Sequence, residues 1–345
     1  TLFLLVSTSW AIVISERAQT ARGRLLQALS SPSGKLTLSP EIIIPDPSDP
    51  TAVLLQSSLI TSLSTKIRTQ AKANAAFISG GIPAMKTFCN EQEVARGNFP
   101  GPVPVIFCDQ VQDMGEIAEA GAEGVLVAVC GGNEVSSVDD LSSDAAWSKN
   151  CHLALEHGLQ PIPEITIGEA TAESWQSNQV ETLVSKITEI IGEAPVSILL
   201  TVAQANPVVG EDGEDVEEPE IKLPLVPKGL GKKVPILGSV KAKAGGGRMG
   251  VETARYKSAG FTGAVLRQGC IPVLSMSQDL EYLASFWSAC IGDLKSTKSK
   301  TFNFRSKNNM EKDLGLQWAR YQMDVVESGA LGETPSMPSG LDPDA

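Results

Sequence analysis

Two glutamates stand inside runs of residues that belong in sheets. "SPEIII" sets Glu41 ahead of three isoleucines, and "LQPIPEI" sets Glu164 among leucine, isoleucine and proline. A carboxylate facing the interior of a strand costs several kcal/mol unless it is paired or protonated, and its pKa should rise. Two such carboxylates are equipment for general acid/base chemistry on a small ligand. Cations follow late in the chain. "KAKAGGGR" carries Lys241 and Lys243 ahead of a glycine run, and "AVLRQG" carries Arg267 and Gly269 at the end of an apolar segment. Loop amides beside such charges suit a phosphate group. The glycine run itself matches neither the P-loop nor the dinucleotide fingerprint, and it reads equally well as a flexible loop, as does "SGGIPAM" at 79–85.

The elements that must position these residues come in a repeating order. Strand patterns are predicted at 36–44, 75–79, 103–108, 124–129, 159–165, 196–202, 234–240 and 262–267, and helical patterns at 51–72, 110–121, 138–157, 178–192 and 250–259. Gly121 and Gly260 stop two of the helices just before a strand. This alternation predicts an α/β fold, a (β/α)8 TIM barrel. One unit is irregular. Between the sixth and seventh strands, "GEDGEDVEEPEIKLPLVPKGLGKK" puts prolines and an acidic run where a helix belongs. In a barrel of this kind chemistry collects at the C-terminal strand ends, which here carry Glu41, Ile43, Phe107, Cys108, Asp109, Glu164, Thr201, Ser239, Lys241, Arg267 and Gly269.

The chain flanks this barrel on both sides. Residues 1–35 form an apolar, targeting-like segment and leading helix, 36–296 the barrel, and 297–345 a basic linker, an amphipathic helix and a polar tail. "TLFLLVSTSWAIVI" is short for a membrane span but has the length of a signal-peptide core, so a presequence remnant is the expectation, with a core-packing helix as the alternative. The helix at 311–330 offers Leu316, Trp318, Tyr321 and Val325 as a face for a protein partner or for the barrel itself. With 28 basic against 40 acidic residues the net charge is −12, which argues against nucleic acid or an anionic membrane surface as a partner. Six cysteines without CxxC spacing, and His152 and His157 as the only histidines, predict no metal site and reduced thiols.

Across residues 36–295 the chain resembles the indole-3-glycerol phosphate synthase family. That family's first strand carries Glu-x-Lys and then Ser-Pro-Ser, and "EIIIPDPS" keeps Glu41, Pro47 and Ser48 at those offsets. The third strand's Pro-Val-x-Arg-Lys-Asp is matched by "PVIFCD", which keeps Pro104, Val105 and Asp109. On the fifth strand Glu164 falls on the family's catalytic glutamate, and on the sixth Thr201 falls on its asparagine. "VETARYKSAGFTGAVLRQG" follows the last helix and strand of the family. The departures are as specific. Ile43 and Cys108 stand where the family has its two catalytic lysines, Asp46 replaces a serine, and "GSVKAKAGGG", with Ser239 at its head, replaces a phosphate-side Ser-Glu-Ser-Gly.

The resemblance implies Glu41 and Glu164 as catalytic carboxylates. It implies Ser48, Ser239, Lys241, Lys243, Arg267 and Gly269 around a phosphorylated substrate, with no cofactor. The family reaction closes an indole ring with decarboxylation and loss of water, and it needs a cationic general acid beside a carboxylate base. Losing the acid forfeits about 100- to 10,000-fold in rate, and two glutamates without cations should repel each other and hold protons. Three readings follow: a synthase with cations relocated to Lys241, Lys243 and Arg267; an enzyme on another small phosphorylated ligand; or, as the expectation carried forward, a barrel kept as a binding or assembly module. The tryptophan pathway of photosynthetic eukaryotes makes a plastid the expected address.

Overall fold

The computed structural model describes residues 2–30, 36–44, 50–109, 113–142, 145–172, 174–203, 222–227, 229–240 and 255–267. Eight short strands occupy the apolar runs: β1 (Thr37–Ile44), β2 (Ala76–Gly80), β3 (Val105–Phe107), β4 (Gly124–Ala128), β5 (Gln160–Gly168), β6 (Ile198–Ala203), β7 (Ile236–Val240) and β8 (Gly263–Leu266). Each pairs in parallel with the next, and β8 pairs with β1, so the sheet closes into a (β/α)8 barrel. Closure satisfies the backbone of every strand on both sides and leaves no edge.

Alternation along each strand divides the side chains into two cores. Phe77, Ile106, Leu126, Ile162, Leu199, Leu237 and Val265 fill the barrel interior. Their strand neighbours, among them Ile78, Phe107, Val125, Ile165, Leu200, Ile236 and Leu266, face out and pack under the helices. Those helices include α2 (Pro50–Lys66), α3 (Ile82–Val94), α4 (Met114–Glu119), α5 (Ala145–Glu156), α6 (Glu169–Ala172) and α7 (Ser177–Ile191), which follow the leading helix α1 (Leu2–Leu29). α7 shows how the sequence enforces this: Val180, Leu183, Val184, Ile187 and Ile191 lie on one buried stripe at helical spacing, and Gly192 ends the helix in the left-handed conformation.

The described part of α1 closes the lower end of the barrel. Leu25 and Leu29 are fully buried in the interior cluster, beside Ala75 and Val196 at the entry to β2 and β6. Arg22 donates to Ala194 O at 2.8 Å, and Thr37 Oγ1 donates to Leu29 O at 3.2 Å, which ties the helix to the strand entrances. Residues 16–29 thus pack as a core helix, whereas the surroundings of 1–15, on which the presequence expectation falls, lie outside the described residues. Among the described residues no helix is long and apolar enough to cross a membrane.

Three local expectations are corrected. "SGGIPAM" does not form a loop: Gly80 takes φ 125°, Gly81 caps α3, and Met85 and Phe88 bury the helix against the barrel. The propensity signal was weak because Gly-Gly and Pro83 open the helix, where they are tolerated. β5 runs to Gly168, past the predicted 165, because Thr166 and Ile167 keep the alternation and pair with β6. The helical pattern at 138–157 splits into a 3-10 turn at Val138–Ser142 and α5. In the irregular unit between β6 and β7, the described residues 222–227 are non-helical and a 3-10 turn follows at Leu230–Lys232. Val226 N donates to Ala259 O at 2.8 Å, which anchors this return to the barrel wall.

Candidate active site at the barrel mouth

The interior apolar layer places the site. Two residues beyond Ile106, Ile162, Leu199, Leu237 and Val265, the inward positions are Cys108, Glu164, Thr201, Ser239 and Arg267. Glu41 on β1 joins them beside Arg267, one position beyond the Pro40–Leu266 pair. A polar ring thus sits on an apolar floor at the C-terminal ends of the strands, where barrels do their chemistry.

Arg267 organises this ring. Its Nη2 lies 2.9 Å from Glu164 Oε1, and its Nη1 lies 3.3 Å from Glu41 Oε1. Thr201 Oγ1 donates to the same Glu164 oxygen at 2.8 Å. The side chains are largely shielded, at 19% exposure for Arg267, 9% for Glu41 and 13% for Glu164, so solvent screens the three charges little. A guanidinium suits this place because its rigid fork of donors can meet two carboxylates at once. The expectation that the two glutamates repel each other for want of a cation is overturned: the cation comes from the last strand. Arg267, expected to hold a phosphate, hydrogen-bonds Glu164 and lies in ion-pair range of Glu41, and its Nη1 makes no hydrogen bond among the described residues.

Around the triad the groups are neutral or engaged. Burial pushes the Cys108 thiol well above its usual range, Glu41 adds to that, and Arg267 offsets it in part, so the group is a neutral thiol at physiological pH. Asp109 accepts from Gly80 N–H and so holds the β2–α3 turn. Ser239 is buried, and its Oγ has no hydrogen-bond partner among the described residues. Tyr256 fixes its backbone by donating to Ser239 O at 2.6 Å. A buried hydroxyl without a partner beside an ion triad is a ready contact for a ligand.

The structure therefore brings together Glu41, Glu164, Ser239 and Arg267 from the expected set. Ser48, Lys241, Lys243 and Gly269 lie outside the described residues, as does the whole segment 297–345, on which the expectation of a helix at 311–330 falls. The role of Thr201, as the hydrogen-bond donor to Glu164, was not read from sequence. Its inward alternation with Leu199 was the available signal. Among the described residues no group of three or more histidine, cysteine, aspartate or glutamate side chains is arranged to hold a metal ion.

No family model matches the sequence, and no curated protein matches it. Solved structures do. Phospho-2-dehydro-3-deoxyheptonate aldolase of Thermotoga maritima is similar at 10% identity over 79% of this chain and 71% of its own, with a TM-score of 0.41. Dihydrodipicolinate synthase of Agrobacterium tumefaciens is similar at 15% identity over 92% and 95%, with a TM-score of 0.36. A rubisco-like protein of Alicyclobacillus acidocaldarius is similar at 8% identity over 89% and 71%, with a TM-score of 0.42. None of the three is an indole-3-glycerol phosphate synthase. Likeness this distant says nothing of substrate, and the barrel rests on the strand pairing described above.

Proposed function

We propose that this chain is a divergent barrel of the indole-3-glycerol phosphate synthase type that no longer closes the indole ring and serves as a binding or assembly module. The observation that carries the reading is the sharing of Arg267 between Glu41 and Glu164. Ring closure asks for a cation able to give up a proton over the ketone and the departing hydroxyl. Among the described strand ends Arg267 is the only cation, and a guanidinium paired with two carboxylates does not give up its proton. Ile43 and Cys108 occupy the lysine places of the resembled family, and the Cys108 thiol is both neutral and a weak acid.

The ligand best supported is a small phosphorylated or hydroxylated molecule at the mouth, contacted by Ser239 and by the cations of "KAKAGGGR". The amphipathic pattern at 311–330 is the segment proposed to meet a protein partner, and a plastid is the proposed address. The test is to give purified protein the anilino-deoxyribulose phosphate substrate of the resembled family and follow indole fluorescence, with Glu164→Gln as control. A folded protein without turnover supports the reading. Turnover that vanishes in Glu164→Gln overturns it and puts the general acid on Lys241 or Lys243.

A further inference from the structure

The lower end of the barrel holds a second polar cluster, far from the mouth in the fold. A cavity of about 460 Å³ opens between α1, α3 and the turn from α4 into β4, and its walls include Arg17, Arg24, Arg96, Glu93 and Glu123. Arg24 Nη1 lies 2.8 Å from Glu123 Oε1. Arg17 donates to the carbonyls of Ala118 and Ala122 at the end of α4. Arg96 meets Glu93 in a pair with both side chains more than half exposed, an arrangement that holds little energy. The second oxygen of Glu123 is buried and has no hydrogen-bond partner among the described residues.

We propose that this cavity binds a small oxyanion, a carboxylate or a phosphate-like group, held by Arg24 and Arg96 and taken up together with a proton on Glu123. The charge balance carries the first half. The six charged residues of the wall sum to zero, but the better-buried three, Arg17, Arg24 and Glu123, are a net positive set, and the exposed three are Glu16, Glu93 and Arg96. The Arg24–Glu123 pair carries the second half. As a carboxylate Glu123 holds the Arg24 fork through Oε1, while its other oxygen is buried without a donor among the described residues; as a carboxylic acid it leaves that fork to the ligand.

The charged and titratable neighbours agree with that exchange. Burial pushes Glu123 up to about 7 against the pull of Arg24, Arg96 and Arg17, with Glu93 adding to the rise. The Cys89 thiol on the same wall is pushed up to about 12 and contributes no charge. Because Arg24 sits on α1 and Arg96 follows α3, an anion between them clamps the leading helix to the barrel.

The experiment is calorimetric titration of the full chain with sulfate, whose charge is constant from pH 6 to 8.5, and separately with acetate, at ionic strength fixed by sodium chloride. Saturable binding is expected for at least one of the two, and the one that binds tells a tetrahedral from a planar oxyanion site. Affinity is expected to fall by up to about tenfold for each pH unit above the Glu123 midpoint. Arg96→Gln, an exposed change that leaves the core intact, should abolish binding, and Glu123→Gln should make it independent of pH. No saturable binding of either anion, binding unchanged in Arg96→Gln, or an unaltered pH dependence in Glu123→Gln would each overturn the proposal.

Discussion

Arg267, just past the last strand, lies within 3.3 Å of Glu41 on the first strand and 2.9 Å from Glu164 on the fifth. The barrel closes between β8 and β1, so residues from opposite ends of the fold meet over one apolar floor. A charge pattern that reads in sequence as two stranded carboxylates is in space a triad with net charge −1.

Removing the cation should expose what it compensates. Arg267→Ala leaves two shielded carboxylates without their partner, and a loss of about 3–5 kcal/mol in urea unfolding is expected. Adding Glu164→Gln to that variant should recover part of the loss, since one charge no longer needs a counterion. Two losses that simply add would mean the groups do not interact.

Cys108 should behave as an inert thiol. Its pKa is raised by burial and by Glu41, so alkylation of the native protein at pH 8 should modify it far more slowly than the same residue in urea. Peptide mapping after iodoacetamide treatment reads this directly. Native reaction at the rate of an exposed thiol would show that the mouth has no dry floor.

Glu123 makes a pH-dependent contribution of defined sign. Its ordinary value of 4.5 rises to about 7 on folding, so the folded state binds the proton more tightly than the unfolded chain. Stability from this group is therefore greatest below pH 4.5, falls through the window from 4.5 to about 7, and stays low above it. Glu123→Gln should remove that slope and gain up to about 3 kcal/mol over the parent at pH 8, less whatever Arg24 loses. Denaturant midpoints at pH 5 and pH 8 test it; a variant whose slope matches the parent's rejects it.

Leu25 anchors α1 under the barrel and is fully buried. Leu25→Ala should destabilise the fold by about 2–5 kcal/mol, as cavity formation in a packed interior does. An exposed control on the same helix, Gly23→Ala, meets nothing within 4 Å of the added carbon and should be neutral or slightly stabilising. Equal behaviour of the two variants would mean that the helix does not close the barrel.

The eight strands and their order are legible because each is a short apolar run with turn residues beside it, and local patterning fixes such elements. α3 and the far end of β5 were missed or cut short where glycine, proline and threonine blurred the period at positions that tertiary pairing later settled. Glu41, Glu164 and Ser239 were legible as strand-end groups, since inward alternation beyond an apolar residue is a local property.

What the sequence by itself determined is therefore the (β/α)8 plan, the acidic surface and the presence of carboxylates at the mouth. Only the tertiary structure decided who neutralises them, and that α1 closes the barrel below with Leu25 and Leu29. The reason is physical. Periodicity is set by neighbours a few residues apart, whereas ion pairs and barrel closure join groups far apart in the chain. The partner of a buried charge is chosen by the curvature of the closed sheet, to which no local run of residues refers.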